Sequence, residues 1–97
     1  MRSRYTAFAV GDEEYLRASW HPGTRPADVA PDPDTRWVGL RIVAVEGGGV
    51  DDKRGTVEFE ARWCQRTRQG MQEGVLHERS RFVRQSGRWW YLDGRVS

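Results

Sequence analysis

Cysteine is almost missing from this chain of 97 residues: Cys64 stands alone. No disulfide can form within it, and no cysteine cluster can hold zinc. Lysine is scarcer still relative to arginine, with Lys53 the only one among 16 basic residues. No apolar run approaches the roughly 20 residues of a membrane span. The start lacks the apolar core of a signal peptide, so the expectation is a soluble, cytoplasmic protein with no membrane association. Charge of one sign is not in excess either, since the formal net charge is +2. Nucleic-acid binders concentrate basic charge on one face or arm, and here the arginines are spread along the chain. No repeat and no composition break divides the sequence, and a single domain over 1–97 is expected.

Aromatic residues are abundant: five Trp, three Tyr and three Phe. A domain of this size is marginal, with a net stability on the order of 5–10 kcal/mol, so those rings must supply much of the core. Met1, Tyr5, Phe8 and Ala9 recur at helical spacing, with Arg2 and Arg4 off that stripe. Gly11 breaks the pattern, Asp12 suits an N-cap, and Glu13 and Glu14 suit the positive end of a second helix dipole. Tyr15, Leu16, Ser19 and Trp20 share a face of that helix, which Pro22 and Gly23 end. His21 to Thr35 holds all four prolines and reads as a loop, either a functional lid or a surface connector.

The second half reads as four strands: Trp37–Glu46, Thr56–Gln65, Val75–Arg84 and Trp89–Asp93. In the second, Val57, Phe59, Ala61 and Trp63 alternate with Thr56, Glu58, Glu60 and Arg62, as in a half-buried antiparallel strand. A turn at Gly70-Met71 would set Phe59 against Phe82, Ala61 against Ser80 and Trp63 against Glu78. A hairpin at Ser86-Gly87 would set Arg84 against Trp89, Phe82 against Tyr91 and Ser80 against Asp93. One face then gathers Phe59, Phe82, Trp89 and Tyr91, with a polar end of Glu78, Ser80 and Asp93 walled by Trp63. The opposite face carries His77, Arg79, Arg81, Val83, Trp90 and Leu92. Trp90 beside Leu92 is a large apolar surface and suggests a partner or a second subunit.

Several segments, in order, resemble a known family: Met1-Arg2-Ser3-Arg4-Tyr5-Thr6-Ala7-Phe8, Tyr15-Leu16, Trp20-His21-Pro22, Trp37-Val38-Gly39-Leu40, Gly55 to Arg62, Glu78-Arg79-Ser80-Arg81-Phe82 and Trp89 to Gly94. They cover nearly the whole chain and are similar to the core domain of the YchJ-like family, within the nuclear-transport-factor-2-like superfamily. The resemblance implies an α+β cone: two N-terminal helices packed on a strongly curved four-stranded antiparallel sheet, with a pocket at its mouth. The superfamily includes dehydratases, isomerases, epoxide hydrolases and pure binding modules, often dimeric, and the resemblance implies no particular reaction. Family members usually flank this domain with a zinc-binding SEC-C segment, which is missing here. Met1 stands where relatives have an internal methionine, so a trimmed chain or a late start is expected.

Among candidate residues, Glu78 in an apolar cavity would have a raised pKa and could serve as general acid or base; the plainer reading is an ion pair with Arg4 or Arg2. Asp93 could be a second base, although Asp before Gly94 is common for turn reasons alone. Ser80 fits as a small residue opposite Ala61, and no nucleophile elbow surrounds it. His21 could carry protons at a pocket mouth or simply complement a helix end. The expected ligand-binding set is Arg4, Tyr5, Trp20, Trp63, Glu78, Ser80 and Tyr91. The expected interface set is Arg79, Arg81, Trp90 and Leu92, through which a homodimer could form. Arg79, Arg81 and Trp90 could alternatively meet single-stranded nucleic acid, but the small net charge weighs against it. The two histidines form no metal motif, the triple glycine is no phosphate loop, and no cofactor is expected. The leading expectation is a non-catalytic module that binds a small molecule or a protein; the alternative is a dehydratase- or isomerase-type enzyme using Glu78 or Asp93, with His21 assisting.

Overall fold

The computed structural model describes residues 1–97. Helix α1 (Arg2–Val10) ends where Gly11 adopts a left-handed φ of 75°, which a glycine accepts without strain. Asp12 then caps α2 (Glu13–Ser19) by accepting from the Tyr15 amide at 3.0 Å. Four strands follow as an antiparallel meander, β1 (Thr35–Gly47), β2 (Arg54–Thr67), β3 (Gly70–Gln85) and β4 (Arg88–Val96). The α+β arrangement of two helices on a four-stranded sheet is as expected, with every strand longer than the sequence pattern suggested.

The helices differ from expectation in two ways. The buried face of α1 is Arg4 with Ala7, and Ala9 is exposed. A guanidinium can take this place because its flat faces pack on rings while its edge donates hydrogen bonds. Helix α2 stops at Ser19, before Pro22 and Gly23, because Trp20 is already extended and forms a parallel bridge with Tyr91. His21 N–H donates to Tyr91 O at 2.7 Å, and Thr24 Oγ1 donates to Leu92 O at 2.5 Å. The segment after α2 therefore runs along the outer edge of β4.

The helical core is small. Leu16 is fully buried, and packs with Ala7 and with Val29 from the long loop. Phe8 and Trp20 close over them. Val29 makes the loop a structural strap over the helices rather than a free lid.

Register departs from the sequence reading at both hairpins. Thr67 pairs with Gly70, so β2 and β3 turn at residues 68 and 69. Phe59 consequently faces Glu78, Ala61 faces Leu76 and Trp63 faces Gly74. The slip is even, so every side chain keeps its expected face. At the second hairpin, Ser86 and Gly87 both have positive φ, as a two-residue turn requires. Arg84 opposite Trp89 and Phe82 opposite Tyr91 are as expected, but a bulge follows. Leu92 is the extra residue, and Asp93 pairs with Arg81 while Gly94 takes the place opposite Ser80. Asp93 is thereby turned to the outer face. Two further irregularities in β1, around Val38 and Val43, add to the bending of the sheet.

Candidate functional site

Glu78, Ser80 and Phe82 point toward the helices, and His77, Arg79 and Arg81 point away from them. On the inner side, α1 and the sheet enclose a cavity of about 230 Å³. Its walls are apolar, chiefly Tyr5, Phe8, Trp37, Phe59, Ala61 and Leu76. The rings meet edge to face, with Tyr5 and Phe8 at 6.5 and 6.3 Å from Trp37. Arg4, Trp20, Glu78 and Tyr91 line it as well. Beyond Arg4 and Tyr91 lies a second hollow of about 330 Å³, bordered by Ser3, Tyr15, Ser19, Gly48, Thr56 and Trp89. Met1, Arg4 and Tyr91 line both, and so form the partition between them.

Arg4 is 4% exposed. Its guanidinium carbon lies 4.1 Å from the Tyr91 ring centre and 5.2 Å from that of Trp20. Nη1 donates to Leu16 O at 3.2 Å and to Ser19 Oγ at 2.6 Å. Burial holds its pKa below the usual guanidinium range, opposed by Tyr91, Tyr15 and Glu78. The expected ion pair with Glu78 does not form, and Arg2 does not pair with Glu78 either. Glu78 Oε2 instead accepts from Ser80 Oγ at 2.5 Å, and Ser80 is completely buried behind it. Gly94 makes this possible. A Cβ there would lie 2.5 Å from Glu78 Oε2 and 2.8 Å from Tyr91 Oη, so only a bare backbone fits beneath the pair. The indole Nε1–H of Trp20 is buried with no acceptor.

Tyr91 has its phenol pushed up to about 12, first by burial and then by the Glu78 carboxylate, with Arg4 pulling the other way. A raised folded pKa means the unfolded chain releases its proton first as pH rises. The stabilisation is thus complete below about pH 10, the ordinary phenol value, and is lost as pH climbs toward about 12. A spectrophotometric titration near 295 nm is expected to show one tyrosine ionising in that late window, and Tyr91→Phe to remove that step. Ionisation of Tyr91 complete by pH 10.5 would contradict the buried geometry.

Of the residues expected to bind ligand, Arg4, Tyr5, Trp20, Glu78 and Tyr91 meet at the chamber, and Ser80 supports Glu78 from behind. Trp63 does not: its ring lies over Gly74, where a Cβ would be 2.7 Å from Cζ2, because the register places it at the far end of the hairpin. Asp93 is also elsewhere, gripped on the outer face by Arg81, whose Nε donates at 2.6 Å and whose Nη2 donates to the other oxygen. That contact holds its carboxyl below the usual carboxylate range. His21 lines neither hollow. Its Nδ1 accepts from the Gly23 amide at 2.9 Å, which leaves Nε2 to donate to Gln85 Oε1 at 2.9 Å. Trp37, Phe59 and Leu76 also wall the chamber; of these, the alternation of the second strand places Phe59 inward, while nothing in the sequence pattern assigns Trp37 a face.

The outer face is laced with opposite charges. Glu58 meets His77 at 2.6 Å, Glu46 meets Arg79 at 2.9 Å and Glu60 meets Arg41 at 3.8 Å. With Arg81 on Asp93, the arginines expected to form a basic strip are already engaged. The apolar patch expected around Trp90 and Leu92 is covered as well. Arg88 lies 3.9 Å from the Trp90 ring centre, His21 stands beside that ring, and both Trp90 and Leu92 are half-buried. No three His, Cys, Asp or Glu side chains gather as they would around a metal ion, and no helix is long and apolar enough to cross a membrane.

The sequence has close counterparts. A UPF0225 protein of Chromobacterium violaceum is 46% identical over 100 residues, spanning all of this chain and 71% of that protein. Another from Streptomyces coelicolor is 48% identical over 94 residues, 97% of this chain and 69% of the relative. Among solved structures, the solution structure of a SEC-C motif containing protein from Rhodopseudomonas palustris superposes with a TM-score of 0.80 at 31% identity, over 100% of this chain and 75% of that one. The crystal structure of a SEC-C motif containing protein from Psychrobacter arcticus gives 0.69 at 30% identity, covering this whole chain and 58% of its own. The family profile described as YchJ, middle NTF2-like domain, matches residues 1–94, and the chain belongs to that family.

Proposed function

We propose that this domain is a non-catalytic binding module whose ligand is a small molecule held in the chamber between α1 and the concave face of the sheet. The observation that carries this reading is the chamber itself: about 230 Å³ of space with largely apolar, aromatic walls and a few polar residues among them. Ligand sites are generally concave and mostly apolar, with a few placed polar groups. Open apolar cavities of comparable size take up small aromatic molecules. The second reading, a dehydratase- or isomerase-type enzyme, is favoured by one observation, a Glu78 carboxylate that no arginine meets in an ion pair. It is the weaker reading because Asp93 and His21, the residues expected to join Glu78 in the chemistry, lie outside the chamber.

Toluene tests the chamber without engaging its polar end. In a ¹H–¹⁵N correlation spectrum, saturable shifts are expected at the Trp20 and Trp37 indole N–H signals as toluene is added. Ala61→Phe, which projects a ring into the space, is expected to abolish them. Leu76→Phe, at a half-buried position that tolerates the change more readily, is expected to weaken them. Wild-type signals that stay still at toluene saturation, or shifts unaltered by either filled variant, would refute a ligand chamber at this place.

A further inference from the structure

We infer that the ligand is an uncharged aromatic molecule whose polar edge carries both a hydrogen-bond acceptor and a donor, as a primary amide or a lactam does. This rests on the chamber being a binding site, and deepens it to a ligand class. Two features of the chamber lead to it.

The first is the balance of charge. Arg4 and Glu78 both line the space, with Met1 beside them, and form no ion pair with each other. Tyr91 lies between them, with its ring face against the guanidinium and its hydroxyl beside the carboxylate over Gly94. An anion drawn to Arg4 would meet the carboxylate in a setting of low dielectric, and a cation drawn to Glu78 would meet the guanidinium. A neutral group meets neither repulsion, and does not carry a net charge into an apolar space.

The second is the unused hydrogen-bonding capacity. A guanidinium has five N–H donors, and the two bonds Arg4 makes to protein acceptors both come from Nη1. On the other side, Glu78 has one oxygen on Ser80 and Oε1 without a protein donor. The chamber therefore offers donors from Arg4 and an acceptor from Glu78. A carbonyl flanked by an N–H satisfies both. The surrounding rings meet at steep angles, which suits a flat aromatic body placed edge to face. At about 230 Å³ the space is below the range typical of drug-sized ligands, so a molecule of one or two rings fits it.

Benzamide, benzoate, benzylammonium and toluene, titrated separately into the full chain and followed through the Trp20 indole signal, distinguish the alternatives. Benzamide is expected to bind at least about fivefold more tightly than either charged analogue, and to move the Arg4 Nε–H signal downfield where toluene does not. Glu78→Gln, which removes the negative charge at nearly constant shape, is expected to improve benzoate relative to benzamide by about tenfold. Benzoate or benzylammonium matching benzamide on the wild-type chain would overturn the assignment of a neutral ligand, whatever the variant does. So would a benzoate-to-benzamide ratio unchanged in Glu78→Gln. Toluene binding alongside any of these results would leave the chamber standing as a site with another ligand class, whereas failure of all four probes would remove both readings together.

Discussion

Phe59→Ala is expected to lower the unfolding free energy by about 3–5 kcal/mol, the range for deleting a buried phenyl ring. For a domain of this size that is a fall in melting temperature of roughly 15 °C or more. Phe59 is 3% exposed, at the centre of β2, between Ile42 on β1 and Glu78 on β3. Its ring forms part of the chamber wall, so the space it vacates joins an existing void and has little to collapse onto it. Thermal and urea unfolding of the variant measure the loss. Phe59→Leu, which restores most of the volume, is expected to recover the greater part. A loss under about 1 kcal/mol for the alanine variant would mean the ring is not in the core. If the variant folds at low temperature, its enlarged chamber is also expected to hold toluene more readily than the parent.

Arg4→Ala is the second large effect, with an expected loss of about 3 kcal/mol. Three contributions disappear together: the stacking on Tyr91 and Trp20, the hydrogen bonds to Leu16 O and Ser19 Oγ, and the packing of the aliphatic stem in the α1–sheet contact. Glu78 is also left as an unbalanced charge in the chamber. Two replacements separate these contributions. Arg4→Met keeps a long apolar stem and is expected to restore most of the stability, since packed apolar residues often replace buried charges without loss. Arg4→Lys keeps the charge but not the flat fork, and is expected to do worse than Met. Arg4 also holds down the Tyr91 pKa, so Arg4→Met is expected to delay phenol ionisation further. Equal melting temperatures for Arg4→Ala and the parent would show that the guanidinium does not lie among these rings.

Much of this arrangement was legible in the chain, and the parts that were not have identifiable causes. The alternation of β2 and β3 assigned each side chain to its face, because that period of two survives an even slip of register. The slip itself was not legible: Gly70 is a plausible turn centre, and nothing local distinguishes a turn there from one at residues 68 and 69. The inward aspect of Glu78 was read correctly, while its partner was not. Ser80 is its neighbour on the same face of the strand, and the arginine named for the pair is held instead by rings from three elements. Asp93 was misplaced by a single extra residue at Leu92, which reverses the face of everything after it. A bulge of this kind depends on a tertiary contact, here the Thr24 hydroxyl on the Leu92 carbonyl, that alternation cannot reveal. His21 was misplaced for a related reason, since the bridge from Trp20 to Tyr91 carries it around the strand to the outside. Arg4 is in the expected ligand set, but its burial on the helix face is not legible, because an apolar stripe takes no account of cations that stack on aromatic faces.

The bridge from Trp20 to Tyr91 has a topological consequence. A meander has two outermost strands, and each presents a row of unspent amides and carbonyls to any passing backbone. Along β4 this invitation is withdrawn at Tyr91 and Leu92, whose carbonyls are already taken by His21 and Thr24. Lateral growth of the sheet is thereby obstructed at the middle of β4, and on the β1 flank the kinks near Val38 and Val43 interrupt the regular ladder that a polymerising neighbour would need.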